Sequence, residues 1–141
     1  MTALKATSTN PGQNQFQVKI YLRVREGQLM VVPRKFAAKT CILTLEYPTY
    51  GEEIDKKQEC TRFDSLNQTY LIQYEELFRW RIQRSLVAWN LQDIYPELQV
   101  NQVVRQNNLC TMETMREWMS LPPLLRKAIQ DRINLAMGPF S

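Results

Sequence analysis

The side chains that most often do chemistry are scarce in this sequence. Its 141 residues contain no histidine. That removes Ser-His-Asp and Cys-His activation of a nucleophile, imidazole acid–base work and most zinc sites. The three cysteines, Cys41, Cys60 and Cys110, are spaced 19 and 50 residues apart, whereas zinc sites are built from closely spaced pairs. An odd number of cysteines reads as reduced thiols in a cytoplasm-like compartment. With four glycines in all, neither a phosphate loop nor a G-x-G-x-x-G fingerprint is present. Glu52 and Glu53 are a carboxylate pair, but adjacent side chains rarely converge on one bond, so they read as solvated loop charges. No catalytic residue, cofactor site, metal site or enzyme activity is expected.

What remains is the chemistry of contact. Lys19, Tyr21, Arg23 and Arg25 recur at every second position of Phe16–Arg25, with Phe16, Val18, Ile20, Leu22 and Val24 between them. A period of two over ten residues predicts a strand with one buried and one wet face. The wet face is then a basic stripe with one aromatic, a pattern that can track phosphates and stack a base. Among the tryptophans, Trp89 and Trp118 read as core, and Trp80 is the one set off the helical stripe and free to anchor an interface. The candidate interface is therefore Lys19, Tyr21, Arg23, Arg25 and Trp80.

These residues need elements to hold them. Gly27 supplies a hairpin turn, and Leu29–Val32 resumes the apolar run until Pro33 ends it and marks a sheet edge. Thr40–Tyr47 predicts a third strand with Cys41, Leu43, Leu45 and Tyr47 on one face, closed by turn chemistry at Pro48–Gly51. The stretch 52–64 reads as a loop, or a short strand around Glu59–Phe63. From Tyr70 to Trp89 the period changes: Leu71, Tyr74, Phe78, Ile82, Leu86 and Trp89 are three or four apart, which predicts an amphipathic helix. A second helix carries Met112, Met115, Trp118 and Met119, capped by Thr111 or by Thr114 with Glu117. A third, opened by Pro122-Pro123, carries Leu125, Ile129, Ile133 and Met137, leaves Arg126, Lys127 and Asp131 exposed, and stops at Gly138-Pro139 in a left-handed cap. The expected fold is α+β: an antiparallel hairpin and three-stranded sheet (15–66 of a single domain, 15–141), then a three-helix half (70–141).

Charge and termini bear on partners. Between residues 15 and 45, six cationic residues face Glu26 alone, while 46–64 carries twice as many carboxylates as cations. A basic segment followed by an acidic one suits head-to-tail contact between copies. Residues 1–14 are polar, broken by Asn10, Pro11 and Gly12, and read as an extended tail. Such a tail is expected to lie along a neighbouring subunit by adding a strand at the 29–32 edge. No run approaches the ~18 apolar residues of a membrane span, and the N-terminus has no secretory pattern.

The order of elements brings a family into view. A basic strand pair, then LTLEYPTYGEE (43–53), a helix YEELFRWRIQRSLVAWN (74–90) and a closing LPPLLRKAIQDRINLAMG (121–138) resembles small tail-region proteins of tailed bacteriophages, of the baseplate-associated or tail-assembly-chaperone kind. The resemblance implies a non-enzymatic structural or assembly component of a tail machine, present in several copies and touching other subunits. It places the protein in a virion or a host cytoplasm, and it names no functional residue. The alternative is a nucleic-acid-binding accessory protein that uses the basic strand face 19–25.

Overall fold

In the computed structural model, which describes residues 14–138, the alternating segment is strand β1 (Gln15–Arg25). Val18, Ile20 and Leu22 are buried on one face, and Lys19, Arg23 and Arg25 are exposed on the other. Glu26 and Gly27, both at positive φ, form the two-residue turn to β2 (Gln28–Val31), with Arg25 opposite Gln28. Two central residues at positive φ match the right-handed strand twist, and glycine takes one at no steric cost. β3 (Lys39–Glu46) lies on the other side of β1, with Cys41, Leu43 and Leu45 fully buried. Tyr47, expected on that buried face, is exposed and has its ring beside Phe16.

The sheet is antiparallel and has four strands in the order β2-β1-β3-β6, so β2 is an edge strand, as Pro33 predicts. The fourth strand, β6 (Leu86–Trp89), corrects the helix expected over 70–89. That stretch divides into β5 (Thr69–Ile72), α2 (Tyr74–Ser85) and β6. Leu71 and Tyr74 are exposed in consequence, while Phe78, Ile82, Leu86 and Trp89 are buried as expected. Leu86 and Trp89 continue the helical spacing from Ile82, so periodicity alone runs through the helix-to-strand change. The stretch 52–64, expected as a loop or a short strand around Glu59–Phe63, is corrected in its first part, which is helix α1 (Tyr50–Glu59), while strand β4 (Thr61–Asp64) lies close to the expected strand. α1 has no buried residue and so shows no apolar period. Its signal is the capping box, in which Thr49 Oγ1 accepts from Glu52 N and Glu52 Oε1 accepts from Thr49 N, both at 3.1 Å.

Beyond the sheet the chain forms a short α3 (Leu91–Ile94), a two-residue ladder of β7 (Arg105–Gln106) with β8 (Leu109–Cys110), α4 (Met112–Ser120) and α5 (Pro123–Met137). Among the described residues the second half thus has four α-helices and, counting β5, four short strands, where three helices were expected. Thr111 caps α4. Thr114 is buried inside it, and Glu117 binds Asn101 instead of closing a box. Met115 and Trp118 are core; Met112 and Met119 are exposed. α5 lays Leu125, Ile129 and Ile133 against the inner face of β1 and β2, all three fully buried. Arg126 is half-buried, its Nε donating to Leu121 O. Gly138 has positive φ but ψ 150, outside the left-handed helical region. The tail 1–13 and Pro139 lie outside the described residues.

This packing sets a stability test. Ile129→Ala removes three methyl(ene) carbons from a site sealed by helix and sheet, and is expected to cost about 2–4 kcal/mol. Urea unfolding followed by circular dichroism measures it, and a loss below about 1 kcal/mol contradicts the packing of α5 on the sheet.

Candidate functional site

The basic stripe stands where the sequence puts it. Lys19, Arg23 and Arg25 are exposed and Tyr21 is half-buried on β1. Arg23 Nη1 reaches Phe36 O at 3.5 Å. Lys19 and Tyr21 also line a groove of about 320 Å³ between β1 and α5, with Gln17, Val18, Arg132, Leu135 and Ala136. Among the described residues, Lys19, Arg23, Arg25 and Arg132 have no ion-pair partner. Trp80 is half-buried on α2 and lines neither this groove nor the next.

A second groove, of about 790 Å³, lies under the β1–β2 turn. Val24, Leu29 and Val31 line it, facing Tyr95, Leu98 and Leu124. Its walls are mostly apolar.

A third feature joins the strand expected around Glu59–Phe63 to one that was not expected. β4 and β5 pair with each other as a separate two-stranded sheet. Phe63 and Tyr70 stack edge to face across this hairpin, ring centroids 5.2 Å apart. Phe63, Leu66, Tyr70 and Leu71 are all exposed, Leu66 at the tip by 92%. Phe63 between Arg62 and Asp64 was the available signal for β4; β5 was obscured because Leu71 and Tyr74 also fit the helical period.

The acidic segment is where the expectation fails most. Glu52 and Glu53 are not solvated loop charges. Arg84 Nε donates to Glu52 Oε2 at 2.6 Å and Nη2 to Oε1 at 3.2 Å, a bidentate pair. Arg84 Nη1 also donates to Glu46 Oε1, which is on the carboxylate that takes Arg105 Nη1 through its other oxygen. Arg81 Nη2 donates to Glu53, and its Nη1 to Asn134 Oδ1 and Gly138 O. Three carboxylates and three guanidiniums thus tie α1, the end of β3, α2, β7 and the end of α5 together. The Arg84 hydrogen bonds bring Glu52 down to about 2, and the same bonds push Arg84 upward. Burial pulls Arg81 down, with Glu53 opposing it. Glu46, Glu52 and Glu53, half of the carboxylates of 46–64, are thus paired within the chain.

All three thiols are free and buried. Burial pushes Cys41 up to about 12 and Cys110 up to about 11, so neither supplies a thiolate near neutral pH. Among the described residues, no three Asp, Glu or Cys side chains come together as a metal site, and no helix is long and apolar enough to cross a membrane. Comparison with family models, curated proteins and solved structures returned no match.

Proposed function

We propose that this chain is a non-enzymatic structural or assembly subunit of a phage-like tail machine and works by protein–protein contact. The observation that supports this reading is the β4–β5 arm. A lone two-stranded hairpin is marginal in water, and its stability comes from packing its side chains on something. This one keeps Phe63, Leu66, Tyr70 and Leu71 exposed. Burying each such side chain is worth about 1.5–3 kcal/mol, and aromatic residues dominate interface hot spots. The arm is rooted between α1 and α2, where Gln73 N bonds Cys60 O at 2.7 Å, so it is held at its base and open along its length.

The test uses the triple variant Phe63→Ser, Leu66→Ser, Tyr70→Ser. Sedimentation velocity is run on the chain alone and after co-expression with the products of the genes flanking its own. The wild type is expected to enter a complex, and the variant to remain a monomer with an unchanged circular dichroism spectrum. A wild type that stays monomeric at about 1 mM and joins none of those products overturns the reading. So does a variant that assembles as the wild type does.

A second reading, nucleic-acid binding, is favoured by one observation: among the described residues the exposed cations of β1 have no ion-pair partner, while three carboxylates of the acidic segment are paired within the chain. It requires binding to single strands whose affinity falls with salt in proportion to the phosphates contacted.

A further inference from the structure

The groove between β1 and α5 has a chemical character that the arm lacks. One wall is the strand, contributing Lys19 and Tyr21; the other is the helix, contributing Arg132, Leu135 and Ala136. Each wall brings one cation, and among the described residues no carboxylate lines the groove. Asp131, next in sequence to Arg132, is 3.7 Å from Lys127 on α5's own surface. Lys19 and Arg132 are without an ion-pair partner among the described residues. The groove also has apolar lining: Leu135, 80% exposed, and buried Val18. From Gln17 to Tyr21 the strand wall runs for roughly 13 Å at the rise of a β-strand, the length of about four extended residues.

We infer that this groove binds an extended acidic segment of a partner protein, in which carboxylates alternate with apolar residues. Such a segment meets Lys19 and Arg132 with its carboxylates and covers Leu135 with its apolar side chains. Charge decides the occupant. The chain's own residues 1–13 carry Lys5 and no carboxylate, a like charge for both cations. A nucleic acid strand supplies anions but needs aromatic platforms for successive bases, and the groove offers one half-buried tyrosine. The inference rests on the reading of the chain as a protein-contact module, and it uses a surface distinct from the arm.

Fluorescence anisotropy on the full chain at low salt tests it with three labelled probes: an octapeptide of alternating Glu and Val, the same peptide with Lys for Glu, and an oligo-dT strand. The Glu–Val peptide is expected to bind, more weakly as salt rises toward the range where charges are screened within about 10 Å. Lys19→Glu and Arg132→Glu, both at exposed positions, are each expected to weaken it about tenfold. The Lys–Val peptide is expected not to bind. The triple arm variant is expected to bind the Glu–Val peptide as the wild type does, which keeps the two surfaces separable. The inference is overturned if the Glu–Val peptide fails to bind, or binds both charge-reversed variants unchanged. It is overturned in favour of nucleic acid if oligo-dT alone binds and the two substitutions abolish that binding. A failed peptide together with an arm-dependent complex removes the groove assignment and leaves the function reading standing.

Discussion

Replacing Arg84 by methionine is expected to lower the stability of the fold by about 2–4 kcal/mol. Removing one partner of a buried ion pair costs about 3–5 kcal/mol, because the other charge stays behind without compensation. Here the side chains left behind are Glu46, 25% exposed, and Glu52, 37% exposed, so water recovers part of that cost. Glu46 also keeps Arg105. The loss still exceeds that of a surface pair, since Arg84 itself is nearly buried and makes three charged hydrogen bonds. Arg84→Lys is expected to rescue little. An ammonium carries the charge but cannot reproduce a planar fork that reaches two carboxylates at once. Urea unfolding of wild type and both variants measures the effect, and a loss below about 1 kcal/mol for Arg84→Met dismisses the cluster as a stabilising feature.

The same cluster gives the fold a signed response to acid. Glu52 sits at about 2 in the folded chain against an ordinary 4.5. A depressed carboxylate contributes stability above its unfolded value and loses it as pH falls toward its folded value. The contribution is therefore complete above about pH 4.5 and drains away between there and pH 2. Arg84 is the main cause of the depression, so the gap between wild type and Arg84→Met is expected to narrow across that window. A gap that widens on acidification contradicts the assignment of Glu52 as the responding group.

What could be read in the sequence follows from the range over which each interaction acts. β1, the Glu26-Gly27 turn and the buried stripe of α5 are local patterns: a period, a turn residue, a spacing of four. α4 was legible through Met115 and Trp118, although Met112 and Met119 share its spacing and are exposed. α1 was missed because it buries nothing, and amphipathicity is a record of burial. Its capping box, Thr49 to Glu52, was legible but stood beside Pro48 and Gly51, which argue for a turn. β7 and β8 were hidden by their brevity; the Asn107-Asn108 turn, both residues at positive φ, was their one local mark. The ion cluster was beyond reach, since Glu46 meets Arg105 across 59 positions and Glu53 meets Arg81 across 28. No spacing rule brings such residues together; only the fold does. For the same reason the groove shared by Lys19 and Arg132 could not be assembled from the strand pattern, although Lys19 itself was in view.

Arg81 tests whether α1 is held by charge, and its expected effect is the largest. The side chain is 2% exposed and joins three elements: Glu53 on α1, its own α2, and Asn134 with the Gly138 carbonyl at the end of α5. Arg81→Met keeps much of the volume and removes the donors. It leaves the Glu53 carboxylate, 30% exposed, and the Asn134 and Gly138 oxygens without that partner. The expected cost is about 3–4 kcal/mol: water at Glu53 recovers part of the buried-pair penalty, but Arg81 is more deeply buried than Arg84. Burial lowers the Arg81 pKa while Glu53 supports the charge, so this guanidinium is kept buried at a cost that its partners offset. Adding Glu53→Gln to Arg81→Met is then expected to recover part of the loss, because the stranded charge is gone, and the double-mutant cycle isolates that share. Since α1 buries no side chain of its own, its amides are expected to lose hydrogen-exchange protection in Arg81→Met before those of β1 and β3 do. If the α1 amides stay as protected as the central strands, forces other than these ion pairs hold the helix, and the account of α1 as an electrostatically tethered element fails.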